Sequence, residues 1–303
     1  MKFALLRALG LLGAFVVGGL LPQLSAYTWL IRYALIFMLF AVCLRIEPSV
    51  RMVHRSQFLS IAFNILLALG AWAGLTAAGQ PLLGMVAFFT AISPSGTSTP
   101  VIVSLIGGNI TYAVTLFLFS NLLISLSFPI LIPWVIGNPA VGLAQDVLAR
   151  VLTVTLVPLT AALIVRGFSK AGARRLGERL APWTFYVWLS LVVLIAAQAR
   201  DFLDRQADVP WVTLGVIAGL SLVICVINFV VGHFLGRPGH ALECSQGLGQ
   251  KNNSYTVYLA LTYAEPLIAL GPTIYVLWHN LWNAWQLYRY RGGAQDGRTR
   301  STS

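Results

Sequence analysis

Apolar stretches separated by short polar connections run along almost the whole chain, at 3–21, 28–44, 57–77, 82–107, 110–136, 147–166, 182–199, 210–236, 241–264 and 266–288. About 20 apolar residues in a helix rising about 1.5 Å per residue cross a hydrocarbon core of about 30 Å. The pattern therefore predicts an all-α integral membrane protein of about ten transmembrane helices. Turn residues mark several connections, among them Pro22-Gln23, Gly79-Gln80-Pro81 and Gly137-Asn138-Pro139. The fourth and ninth stretches are interrupted by small and polar residues, at Ser93–Pro100 and Gly247–Ser254. Each interruption falls in the fourth stretch of its half, with a fifth following almost at once. Five helices per half force the second half to enter from the opposite face, so a repeat here would be inverted. The expected organisation is a first five-helix repeat over 1–139, a second over 140–290 and a polar cytoplasmic tail over 291–303. The symmetry is one of hydropathy; residue identity between the halves is weak.

Composition agrees with this layout. Hydrophobic residues make up 58% and charged residues 10% of the chain, against roughly 25% charged in a soluble domain. A net charge of +11 would suggest a nucleic-acid partner in a soluble protein, but no basic stripe with interleaved aromatics is present. The charge instead sorts by topology. With the N-terminus inside, the cytoplasmic connections hold Lys2, Arg7, Arg45, Arg51, Arg55, Arg166, Lys170, Arg174, Arg175, Arg179, Arg237, Arg289, Arg291, Arg298 and Arg300. The other side holds Arg32, Arg150, Arg200 and Arg205. This positive-inside bias predicts a multi-pass protein of the cell membrane with both termini cytoplasmic. A cleaved signal peptide ending near Leu24-Ser25-Ala26 is the rival for the N-terminus, although its apolar run is long for one.

The interruptions carry the chemistry. Pro94 and Pro100 each lack an N–H, and their rings clash with the preceding turn. Backbone groups freed in hydrocarbon cost several kcal/mol each unless protein, water or ligand satisfies them. Ser93, Ser95, Thr97, Ser98 and Thr99 are thus candidate substrate-binding residues, with a plain proline kink as the structural alternative. In the second interruption Gln250, Lys251, Asn252, Asn253 and Ser254 are five consecutive polar residues, of which Lys251, Asn252, Asn253 and Ser254 are further candidate substrate-binding residues. A lysine at a helix centre costs about 2.5–3.5 kcal/mol on insertion scales, so Lys251 must find a partner or water. The alternative is a helix that starts later and lets Lys251 snorkel. If both interruptions build one site, 93–100 and 249–254 must touch.

Ser93–Val101 with Gly108-Asn109, and Gly249–Asn253 with Trp278-His279-Asn280, resemble the two crossover helices and last span of the bile acid:sodium symporter superfamily. That resemblance implies ten helices in a panel and a core domain, two broken helices crossing near the midplane, and organic-anion substrates usually taken up with sodium. It also implies ion-binding roles for Gln250, Gln246 and Asn64. The sodium ligands are largely unmatched: a Ser-Asn pair is replaced by Thr99-Pro100, two hydroxyl positions fall at Ala113 and Phe117, and a carboxylate position falls at Gln246. No cofactor is expected, and sodium is doubtful. Lys251 could take the electrostatic role of the missing cation, facing broken-helix ends or an anionic substrate. Because desolvation disfavours the charged form of an amine, proton coupling is an alternative. Glu243 is its nearest acidic neighbour in sequence.

Other candidates rank lower. His233 and His279 are expected to be packed histidines, and Trp278 and Trp282, one turn apart, could line a pocket. Cys43, Cys225 and Cys244 suggest neither a disulfide framework nor a metal cluster. No phosphate-binding Gly-Lys-Ser/Thr loop occurs, and no nucleophile–base pair is visible within the spans. The expected function is a secondary transporter rather than an enzyme. A channel or sodium-independent carrier is the alternative, and a membrane enzyme comes third. The expected partners are a small organic anion and membrane lipid, with no nucleic acid; oligomeric state is open.

Overall fold

A computed structural model describes residues 10, 13–138, 140–205 and 210–300 apart from 46–52. Lys2, Arg7 and Arg51 of the charge pattern, the start of the first apolar stretch, the repeat boundary at Pro139 and the final three residues of the tail lie outside them. Among the described residues the chain is all-helical, without strands. In hydrocarbon a helix satisfies its own backbone polar groups, and the Leu-, Ile- and Val-rich stretches take that form.

After helical residues 13–20 and a 3-10 turn at Pro22–Tyr27, the helices are α1 (Leu30–Cys43), α2 (Arg55–Ala77), α3 (Pro81–Ala91), α4 (Thr99–Leu105), α5 (Ile110–Val135) and α6 (Val141–Phe168). They continue as α7 (Lys170–Arg205), α8 (Trp211–Leu235), α9 (Ala241–Gly249), α10 (Asn253–Tyr263) and α11 (Pro266–Arg300). A π-helical turn at Leu152–Leu156 lies within α6. Among the described residues five helices are long and apolar enough to cross a membrane: α2, α5, α6, α7 and α8. Two expectations shift. The seventh stretch begins earlier, since α7 starts at Lys170, and the tail expected from 291 continues helically to Arg300.

Local chemistry explains several ends. His54 caps α2, its ring accepting from Ser56 N while Gln57 reaches back to His54 N, a reciprocal capping box. Asn109 caps α5 by accepting from Tyr112 N at 3.0 Å. Between α4 and α5 the chain reverses through Gly107, whose φ of 81° is costly for any residue with a Cβ.

α1 lies against α6 and α7, whereas α3 is enclosed by α2, α8 and α11, and α9 packs on α8. The main core joins Phe88 and Phe89 of α3 with Phe128 of α5, Phe229 of α8, Tyr255 of α10 and Tyr275 of α11. The short helices α3, α4, α9 and α10 are thus held inside the longer ones.

Candidate functional site

The fourth and ninth apolar stretches are both broken. Residues 92–98 separate α3 from α4, and residues 250–252 separate α9 from α10. The two breaks meet. Gly96 N donates to Gln250 O at 2.6 Å and Asn252 N donates to Pro94 O at 2.7 Å, forming an isolated antiparallel bridge between Ser95 and Lys251. Each interruption thus satisfies backbone groups that the other frees, as burial in an apolar medium requires. The approach is close at Gly96, where a Cβ would lie 3.0 Å from Lys251 O. α5 holds the bridge from behind: Ser95 N donates to Ser120 Oγ at 2.9 Å, and Asn121 Nδ2 donates to Ser95 O at 2.8 Å. Gln250 Nε2 adds a bond to Ser98 Oγ at 3.0 Å.

Lys251 does not snorkel; it is 4% exposed. Its Nζ donates to Asn64 Oδ1, to Ala91 O at 2.8 Å and to Ser93 O at 3.2 Å. Asn64 Nδ2 in turn donates to Ile92 O and Ser93 O, each at 3.2 Å. These carbonyls close the C-terminal end of α3, where a helix has unpaired oxygens and partial negative charge. An ammonium has three N–H donors, and all three are directed to protein oxygens. Glu243 is not its partner: Glu243 Oε1 accepts from Asn109 N at 2.5 Å. The oxygens bonded to Lys251 are all neutral.

Beside the ammonium lies a cavity of about 10 Å³, lined by Ser60, Asn64, Ser93, Ser95, Ser120 and Lys251 together with apolar side chains. A space of this size holds about one water. Ser95 Oγ pairs with Thr99 Oγ1 at 3.0 Å and Ser60 Oγ donates to Ser56 O at 2.8 Å. Ser93 Oγ, buried in the lining, has no hydrogen-bond partner within the protein.

The sequence candidates divide accordingly. Ser93, Ser95, Ser98, Thr99, Gln250, Lys251 and Asn64 come together at the crossover. Thr97 and Asn252 are half-buried within it, and Ser254 is buried in the first turn of α10. Asn253 turns toward α11, its Nδ2 lying 3.5 Å from His279 Nδ1. Gln246 is bonded through Nε2 to Gln286 Oε1, in a separate polar contact between α9 and α11. Ala113 and Phe117 are buried without offering a side-chain oxygen. Among the described residues no group of three or more His, Cys, Asp or Glu side chains is placed to hold a metal.

Ser60, Ser120 and Asn121 are absent from the sequence candidates. A signal for Ser60 exists: Ser56, Ser60 and Asn64 recur every four residues in an otherwise apolar helix, which puts them on one face. Trp282, a possible pocket residue, instead stacks on Phe229 with ring centroids 4.8 Å apart. Close packing extends to Gly249, where a Cβ would run into the Phe229 ring. Gly249→Ala should lower stability by about 1–3 kcal/mol through overpacking, read as a lower melting temperature.

A polar cluster closes the cavity at one end. His54 Nδ1 is 2.7 Å from Ser56 Oγ, Ser56 Oγ is 2.5 Å from Tyr112 OH, and Tyr112 OH is 2.8 Å from Cys244 Sγ. The Tyr112 ring stacks on His240 at 4.1 Å. Ser56, Tyr112 and Cys244 each stand four residues before a residue of the cavity wall, namely Ser60, Leu116 and Leu248. The plug therefore lies about one helical turn beyond the cavity.

No family model and no curated protein matches the chain.

Proposed function

We propose that this protein is a secondary transporter that moves a small organic anion by alternating access, with its site at the crossing of the two broken helices. The observation that carries this is the Ser95–Lys251 backbone bridge, which joins interruptions from the two halves of the chain in the buried interior. Irregular backbone at membrane depth is tolerated where it is enclosed by protein or lines a cavity, and paired discontinuous helices are a recurrent way to build a midplane site.

The helices also support the ten-span reading. The segment at 13–20, α1, α2, the α3/α4 pair, α5, α6, α7, α8, the α9/α10 pair and α11 are ten successive crossings. They divide into inverted five-helix repeats over 1–139 and 140–290, in a cell membrane with both termini cytoplasmic. α1 packs mainly on α6 and α7 and also touches α10, an arrangement that suits a panel against which the core moves.

An anion is favoured by the partial positive charge at the N-terminus of α10 and by the Lys251 amine. With its three N–H groups directed to protein oxygens, Lys251 acts on the substrate through its field rather than by contact. Thr97, Ser98, Asn252 and Ser254 are the residues left to touch it. The test is uptake by the purified chain in proteoliposomes, over a panel of small carboxylates and sulfates, with sodium and pH varied independently. Saturable, sodium-independent uptake of a panel member is expected. Single-channel currents would replace the carrier with a pore, and failure of every anion to accumulate or bind would reject the organic-anion assignment.

A further inference from the structure

We propose that the Lys251 side chain is a tethered cation, filling an oxygen cage that takes up a free monovalent cation once the amine is removed. The proposal deepens the crossover reading but needs no substrate for its test. It rests first on the donor set. Asn64 Oδ1, Ala91 O and Ser93 O come from α2 and from the end of α3, and they converge on one nitrogen. Neutral carbonyl and amide oxygens at a helix C-terminus are the groups that replace a cation's hydration shell in membrane proteins. The cage survives without the lysine, because its carbonyls belong to the backbone and Asn64 is independently held by Nδ2 bonds to Ile92 O and Ser93 O.

The adjoining cavity is the second, independent observation. Ser93 Oγ lines it, is 1% exposed and has no partner within the protein. Shortening residue 251 merges the volume of its side chain with this cavity and adds a hydroxyl oxygen to the three already present. Charge balance points the same way. Glu243, the acidic group of α9, is bonded to Asn109 N, so the cage attracts a cation through dipoles and not through a carboxylate. A monovalent ion matches that field better than a divalent one. In the native protein the cation arrives with the chain. The ammonium also ties the second interruption to the end of α3, so crossover geometry is independent of salt identity.

The experiment measures melting of the purified full chain in nanodiscs by tryptophan fluorescence. Sodium, potassium, ammonium or methylammonium chloride is titrated against choline chloride at constant ionic strength. The wild type should melt at the same temperature in every salt. Lys251→Ala should melt lower in choline and recover saturably by several degrees in at least one small monovalent cation. Lys251→Arg, which keeps a tethered charge, should show no such recovery. A saturable cation response in the wild type, or none in folded Lys251→Ala, overturns the proposal. If Lys251→Ala does not fold in choline, preparation in ammonium or sodium should rescue it, and failure of that rescue overturns the proposal as well. Absence of organic-anion uptake alongside the expected melting results would reject the transport assignment alone.

Discussion

Asn64→Leu is expected to cost about 1.5–3 kcal/mol of stability for the lost hydrogen bond to the lysine amine, and to abolish uptake. Leucine is close to asparagine in size, so the change acts through hydrogen bonds. It removes the Oδ1 acceptor of Lys251 and the Nδ2 donor to Ile92 O and Ser93 O. Lys251 Nζ then keeps two acceptors, and the Ile92 carbonyl loses a donor at the end of α3. Leaving a buried acceptor unpaired adds about 1–3 kcal/mol, so the upper part of the range is expected. Asn64→Asp preserves an acceptor for the ammonium while deleting the donor, and should recover part of the loss. Both are read by denaturant or thermal unfolding of the purified protein beside an uptake assay. An Asn64→Leu protein within about 1 kcal/mol of wild type would show that the ammonium cage does not hold the crossover together.

Gly96→Val should reduce uptake at least about tenfold and destabilise the protein by about 1–3 kcal/mol. Its Cβ would stand 3.0 Å from Lys251 O, 3.2 Å from Lys251 C and 3.4 Å from Gln250 O. These neighbours are backbone atoms that cannot rotate away. Relief comes only by separating the two interruptions, which breaks the Gly96 N to Gln250 O bond and moves the residues proposed to touch substrate. Gly96→Ala should show a smaller loss in the same direction. Gly74→Ala is the control, since a Cβ there meets nothing within 4 Å, and in a helix it should be neutral or slightly stabilising. Equal effects at positions 74 and 96 would mean that contact between the interruptions does not limit function.

His54, Ser56, Tyr112, His240 and Cys244 form a polar cluster about one helical turn from the crossover cavity. Its hydrogen bonds join α2, α5 and α9. His54 and His240 lie in connections between helices, whereas Ser56, Tyr112 and Cys244 lie in the first turns of α2, α5 and α9.

Much of this protein was determined by local properties of its sequence. Hydropathy is a sum over neighbouring residues, and it marked the membrane class and nearly all the helices. Proline chemistry is equally local: Pro94 and Pro100 removed N–H donors wherever the segment came to lie, so the first break was legible at once. Five adjacent polar residues around Lys251 marked the second. The four-residue spacing of Ser56, Ser60 and Asn64 was also present to be read, as one polar face on α2. What Lys251 faces was a different kind of question. Its acceptors are Asn64, 187 residues away, and the end of α3, about 160 residues away, whereas Glu243, eight residues from it, is turned to Asn109. Gln246, on the same short helix, pairs with Gln286 instead of joining the crossover. Only the tertiary structure decided these contacts, because a buried charge takes its partners from whichever helices packing brings within 3 Å or so, and sequence distance has no part in that choice.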